Sequence, residues 1–65
     1  MNSIRDRISA IRQEKDTAKR LEMLQELNDS LPIGIRLEFP PLITNAYVRT
    51  ALDEIEARLD TLAQT

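Results

Sequence analysis

Apolar residues in the last third of the chain recur at steps that alternate between four and three: Val48, Leu52, Ile55, Leu59 and Leu62. This spacing is the narrow seam of a helix that packs along another helix, as in a coiled coil. The pattern predicts a helix over residues 44–63. Thr44 and Asn45 are both acceptable residues for its N-terminal cap.

The first thirty residues carry two apolar sets, Ile4, Ile8 and Ile11 followed by Leu21, Leu24, Leu27 and Leu31. Ser3 and Asp6 have the spacing of a capping box at the start of a helix. At about 100° per residue, the two sets fall on nearly opposite faces of one continuous helix over residues 4–30. Either the helix breaks within residues 12–17, with Asp16 capping a second helix, or it continues and its halves contact different partners.

Apolar and other residues alternate over residues 33–39, with prolines on both sides. Period-two alternation predicts a half-buried strand. The chain offers no second strand, so we expect this segment to pair with its copy in another chain, antiparallel about a two-fold axis. Arg36 and Glu38 would then face each other as opposite charges. The alternative is an extended connection whose Ile and Phe side chains lie on the helices.

The sequence therefore predicts one small, mainly α domain over residues 1–65, with two or three helices in a hairpin-like arrangement and a short extended segment at 33–39. A domain of this size usually needs disulfides, a metal or a partner chain to be stable, and the chain has no cysteine. We expect a homodimer or higher oligomer. Its predicted interface is Leu21, Leu24, Leu27, Leu31, Ile33, Ile35, Leu37, Val48, Leu52, Ile55, Leu59 and Leu62.

Charge is distributed unevenly around the net value of −2. Residues 1–20 hold six basic and three acidic side chains, whereas residues 21–65 hold three basic and eight acidic ones. Complementary helix surfaces, within one chain or between chains, explain this asymmetry. Alternatively, Arg5, Arg12 and Lys19 form a row that contacts an anionic partner such as nucleic acid. The acidic total and the two aromatic residues argue against nucleic acid.

The residue types argue against catalysis. The chain has no histidine or cysteine, so the usual pairs of nucleophile and base cannot form. Its single glycine excludes a glycine-rich phosphate loop. Asp53 and Glu54 are adjacent on a helix and point about 100° apart, so they do not share a site. We expect no enzyme activity, no cofactor and no metal site.

The pattern favours a non-enzymatic protein–protein interaction module. We expect a small homo-oligomeric regulatory or accessory protein that acts by binding another protein, with Phe39 and Tyr47 as possible contacts. The alternative is a nucleic-acid-associated regulator that uses the basic N-terminal helix. No run approaches the ~20 apolar residues that span a bilayer, so we expect no membrane partner. A cytoplasmic location agrees with the lack of cysteine.

Overall fold

A computed structural model describes residues 3–63. These residues form three α-helices, α1 over Ile4–Gln13, α2 over Thr17–Ser30 and α3 over Asn45–Ala63. A short 3-10 turn over Ile33–Ile35 lies between α2 and α3. Among residues 3–63 there is no β-strand. The prediction of a mainly α fold is confirmed.

The first two helices are separate, as expected if the helix breaks within residues 12–17. The alternative of one continuous helix over residues 4–30 is wrong. Asp16 caps α2 by accepting a hydrogen bond from the Ala18 N–H at 3.0 Å. Glu14 Oε1 accepts from the N–H groups of Lys15 and Asp16. Arg20 Nε donates to the Ile11 carbonyl at the end of α1, at 3.1 Å. These bonds satisfy the backbone groups that a helix end exposes.

The break lets both apolar sets of the N-terminal region face one core. Ten residues form this core: Ile8, Ile11, Leu24, Leu27, Leu31, Ile35, Val48, Ala51, Leu52 and Ile55. All are 5% exposed or less. The core therefore closes within a single chain. The radius of gyration is 11.4 Å, close to the ~10.7 Å expected for a compact domain of this length.

The helix caps agree with the sequence. Ser3 and Asp6 form the capping box of α1. Thr44 Oγ1 accepts from the Tyr47 N–H at 3.1 Å and so caps α3. Asn45, the other candidate, instead accepts a hydrogen bond from Arg20 Nη1. Leu31, which precedes a proline, is extended with φ −76° and ψ 150°, and it ends α2.

The strand expected over residues 33–39 does not form. Residues 33–35 make the 3-10 turn, and residues 36–40 have no regular secondary structure. Within the described residues there is no strand with which the segment could pair. Ile35 is buried in the core, and Leu37 and Phe39 pack against it.

Candidate interaction site

Residues 31–44, here called the connecting segment, join α2 to α3. A side chain of α2 holds the middle of this segment. Asn28 is 5% exposed. Its Nδ2 donates to the Leu37 carbonyl, and its Oδ1 accepts from the Leu37 N–H, both at 2.8 Å. These are the two hydrogen bonds that a neighbouring strand would make. The carboxamide therefore removes the need for a partner strand at Leu37.

The side chain of Arg36 contacts the C-terminal end of α2. Its Nη2 donates to the carbonyls of Asp29 and Leu31, both at 2.9 Å. Carbonyls at a helix C-terminus lack intrahelical partners and favour a positive charge. No basic residue occupies the last turn of α2, so Arg36 supplies that charge from outside the helix.

Arg58 of α3 holds the other side of the connecting segment. Its Nη1 donates to the Arg36 carbonyl at 3.2 Å, while its Nε donates to Glu54 Oε1 at 3.0 Å. At the opposite end, the rings of Phe39 and Tyr47 meet edge to face with their centroids 6.0 Å apart. Residues 36–39 thus run along α3 in the direction from Arg58 towards Tyr47, over at most about 11 Å at roughly 3.6 Å per extended residue.

A cleft of about 530 Å³ lies between this segment and α3. Its lining combines apolar groups with charges of both signs: Arg36, Leu37, Glu38, Tyr47, Thr50, Ala51, Glu54 and Arg58. The acidic side chains among them are Glu38 and Glu54, and Glu54 is ion-paired to Arg58 at 3.0 Å. Among residues 3–63 no group of three potential metal ligands is present.

Exposed aliphatic side chains stand at both ends of the connecting segment. Ile33 is 84% exposed and Leu42 is 78% exposed. Leu62, near the end of α3, is 53% exposed. Single exposed aliphatic residues are common on protein surfaces. Two of them on one short segment, beside a cleft, make this segment the leading candidate for a contact surface.

The predicted interface residues occupy three different environments. The chain's own core buries Leu24, Leu27, Leu31, Ile35, Val48, Leu52 and Ile55. Leu21, Leu37 and Leu59 are partly buried against that core. Ile33 and Leu62 are exposed. Most of the seam on α3 therefore packs within its own chain, and Ile33 is the predicted residue that best fits an intermolecular contact.

The predicted row of basic residues is divided between two helices and ion-paired. Arg5 contacts Asp60 at 2.6 Å, and Lys19 lies 3.6 Å from Glu14. Arg12 Nη2 contacts Glu56 at 2.6 Å and Asp53 at 2.8 Å. The pairs formed by Arg5 and Arg12 show that α1 runs antiparallel to α3. Complementary charge within one chain therefore accounts for the asymmetry of the sequence.

The hydrogen bonds from Arg12 to Glu56 and Asp53 raise the pKa of its guanidinium. Because this pKa is raised in the folded state, the stabilisation is fully present below the ordinary arginine pKa. As the pH rises, it is lost only in strongly alkaline solution. The Arg12 contact therefore responds to salt rather than to pH in the physiological range.

Sequence reasoning missed three residues of this region: Asn28, Arg36 as a helix cap, and Leu42. Asn28 carried a signal, because it lies four residues after Leu24 on the apolar face of α2. A polar residue at a core position indicates a buried hydrogen bond. Leu42 follows two prolines in an irregular connection, where no periodicity predicts which way a side chain points.

Comparison with family models, curated proteins and solved structures finds no match to this chain. Within residues 3–63, no helix has the length and apolar character needed to cross a membrane.

Proposed function

We propose that this chain is a non-enzymatic protein–protein interaction module that contacts its partner through the connecting segment. The exposure of Ile33 and Leu42, at 84% and 78%, carries this proposal. Covering an exposed side chain of this size contributes about 1.5–3 kcal/mol. The backbone between the two is held by Asn28, Arg36 and Arg58. An ordered surface loses less conformational entropy on binding than a mobile loop would.

The lining of the cleft supports binding rather than catalysis. Glu54 is held by Arg58, and the chain contains no histidine or cysteine to serve as base or nucleophile. We further propose that the protein is a small regulatory or accessory protein of the cytoplasm. The lack of cysteine agrees with a reducing compartment.

We also propose that the chain forms homo-oligomers, through the connecting segment rather than through the apolar seam of α3. Val48, Leu52 and Ile55 have 0% exposure within one chain, so they contribute to folding of that chain. The connecting segment is the surface on which a second chain would find uncovered aliphatic groups.

Comparison of three forms of the chain tests the proposal. The double variant Ile33→Glu/Leu42→Glu places two charges on the connecting segment. The control Gln25→Glu/Ala57→Glu adds the same charge at exposed helical positions. The thermal stability of each form is measured first, to show that all three are equally folded. Each form is then cross-linked in extracts of the source cells, and the proteins that it captures are quantified.

We expect a discrete set of captured proteins, copies of the chain itself included, with the wild type and the control, and its loss with the double variant. Capture sets that are the same for all three forms would contradict an interaction role for this surface.

A further inference from the structure

Counted along the sequence, the exposed side chains of the connecting segment follow a symmetric order. Ile33 and Leu42 are the exposed aliphatic ends. Arg36 and Glu38 are exposed between them, whereas Leu37 and Phe39 pack towards the core. The midpoint between Ile33 and Leu42 lies between Leu37 and Glu38. The midpoint between Arg36 and Glu38 lies only half a residue away.

Gly34 is not required by the fold of the single chain. Its φ is not positive, so the backbone does not need a glycine there. A Cβ atom at this position would meet nothing within 4 Å. Glycine nevertheless increases the entropy that the chain loses on folding. Its open surface, next to the exposed Ile33, leaves room for the close approach of another molecule.

The charges on this surface complement one another. Glu38 makes no ion pair or side-chain hydrogen bond with any other residue in the 3–63 range. Arg36 uses Nη2 for the carbonyls at the end of α2, and its guanidinium has further N–H donors. The basic Arg36 and the acidic Glu38 lie on either side of the midpoint. When two copies run antiparallel, each positive charge therefore lies opposite a negative charge of the other copy.

We propose that the occupant of this surface is a second copy of the chain, an inference that rests on the proposed function. Two connecting segments pack antiparallel about a two-fold axis near Leu37 and Glu38. Ile33 of each chain then covers Leu42 of the other, and Arg36 approaches Glu38 of the other. Such an isologous contact closes at two chains. The contact is made by side chains, because Asn28 already satisfies the backbone of Leu37.

Disulfide trapping tests the orientation. Because the natural chain has no cysteine, Ile33→Cys and Leu42→Cys chains each carry a single thiol. Mixed under mild oxidation, they form an Ile33→Cys to Leu42→Cys disulfide only if these positions come within about 7 Å between Cα atoms. The control mixes Ile33→Cys with Thr61→Cys, which places the second thiol on an exposed part of α3.

We expect the mixed Ile33→Cys to Leu42→Cys dimer to form in excess of the proportion given by random pairing, at the expense of the two same-variant dimers. We expect no such excess when Ile33→Cys is mixed with Thr61→Cys. Statistical proportions, or no disulfide at all, would overturn the antiparallel second-copy contact. Preferential Ile33→Cys to Ile33→Cys dimers would overturn it as well, since they place the contact at Ile33 of both chains rather than between Ile33 and Leu42.

Dimer dissociation constants give a second readout. Ile33→Asp should weaken the dimer about a hundredfold or more, because each dimer loses two buried isoleucines. Glu38→Arg should weaken it about three- to tenfold, with less effect at high salt. Glu22→Arg makes the same charge change on an exposed acid of α2 and should leave the constant unchanged. Equal constants for all three variants would overturn the proposal.

The second-copy contact and the proposed function can fail separately. A wild-type chain that stays monomeric, but captures a different protein through Ile33 and Leu42, overturns the second-copy contact alone. A monomeric chain whose captured proteins do not depend on these two residues overturns both.

Discussion

The carboxamide of Asn28 makes both hydrogen bonds of the Leu37 backbone, each at 2.8 Å. This pair of bonds explains how a segment with the alternation of a strand is held in a chain without a second strand among its described residues. It also fixes the position of the surface on which Ile33 and Leu42 are exposed.

Replacing Asn28 tests this relationship. Asn28→Ala leaves the part-buried N–H and carbonyl of Leu37 without their partner, and an unpaired group costs about 1–3 kcal/mol when fully buried. We expect the free energy of unfolding, measured by urea denaturation, to fall by about 2–4 kcal/mol. Gln25→Ala on the exposed side of the same helix is the control, with an expected change within about 0.5 kcal/mol. Equal stability of the two variants would show that the Asn28 bonds do not hold the segment.

Ile55 tests the core. It has 0% exposure, so Ile55→Asp places an unpaired charge among apolar side chains. We expect loss of the folded state at 25 °C, and with it loss of self-association, followed by circular dichroism and sedimentation. Ala57→Asp, at an exposed position of the same helix, should retain the fold. A fully helical Ile55→Asp chain would contradict the observed position of Ile55.

Arg12 tests the attachment of α1 to α3. Because its side chain is 35% exposed, Arg12→Gln should reduce stability by only about 0.5–1 kcal/mol at low salt. The difference from the wild type should shrink at about 1 M salt, where the Debye length is about 3 Å. Arg49→Gln is the control, because Arg49 makes no ion pair in the part of the chain described. A loss of stability at Arg12 that does not depend on salt would contradict an electrostatic attachment.

The ion pairs of Arg5, Arg12 and Lys19 oppose nucleic-acid binding. Contact with phosphates requires these pairs to open, and the acids beside them repel a polyanion. We expect no salt-dependent binding to arbitrary duplex DNA at about 50 mM salt, measured by fluorescence anisotropy. Binding that weakens linearly in log salt, and is lost in Arg5→Gln/Arg12→Gln/Lys19→Gln, would favour the nucleic-acid alternative.

Local patterns in the sequence predicted much of the fold. The caps at Ser3 and Asp16 and the end of α2 before Pro32 depend on neighbouring residues, and such interactions can be read from the sequence. The strand predicted over residues 33–39 is not seen in the single chain, where Asn28, nine residues from Leu37, bonds the Leu37 backbone. No periodicity predicts that a side chain takes the place of a strand.

The residues of the predicted interface also depended on the tertiary fold, which local patterns do not predict. The two opposed apolar stripes of residues 4–31 suggested that one chain could not cover both. The break at residues 14–16 turns Ile8 and Leu24 towards one core, so much of the predicted interface is internal. Sequence alone identified Ile33 but not Leu42, because exposure in an irregular connection is decided by the tertiary fold.

Sedimentation equilibrium over a wide dilution series, with circular dichroism on the same samples, shows whether chains that each fold alone associate in pairs. We expect the mass of two chains at high concentration to fall to that of one on dilution, with helicity retained because the core closes within each chain. With Ile33→Asp, we expect one chain at every concentration and the same helicity. A wild type that is monomeric at every concentration would contradict the second-copy contact. Helicity that is lost as the mass falls would contradict a core that closes within each chain.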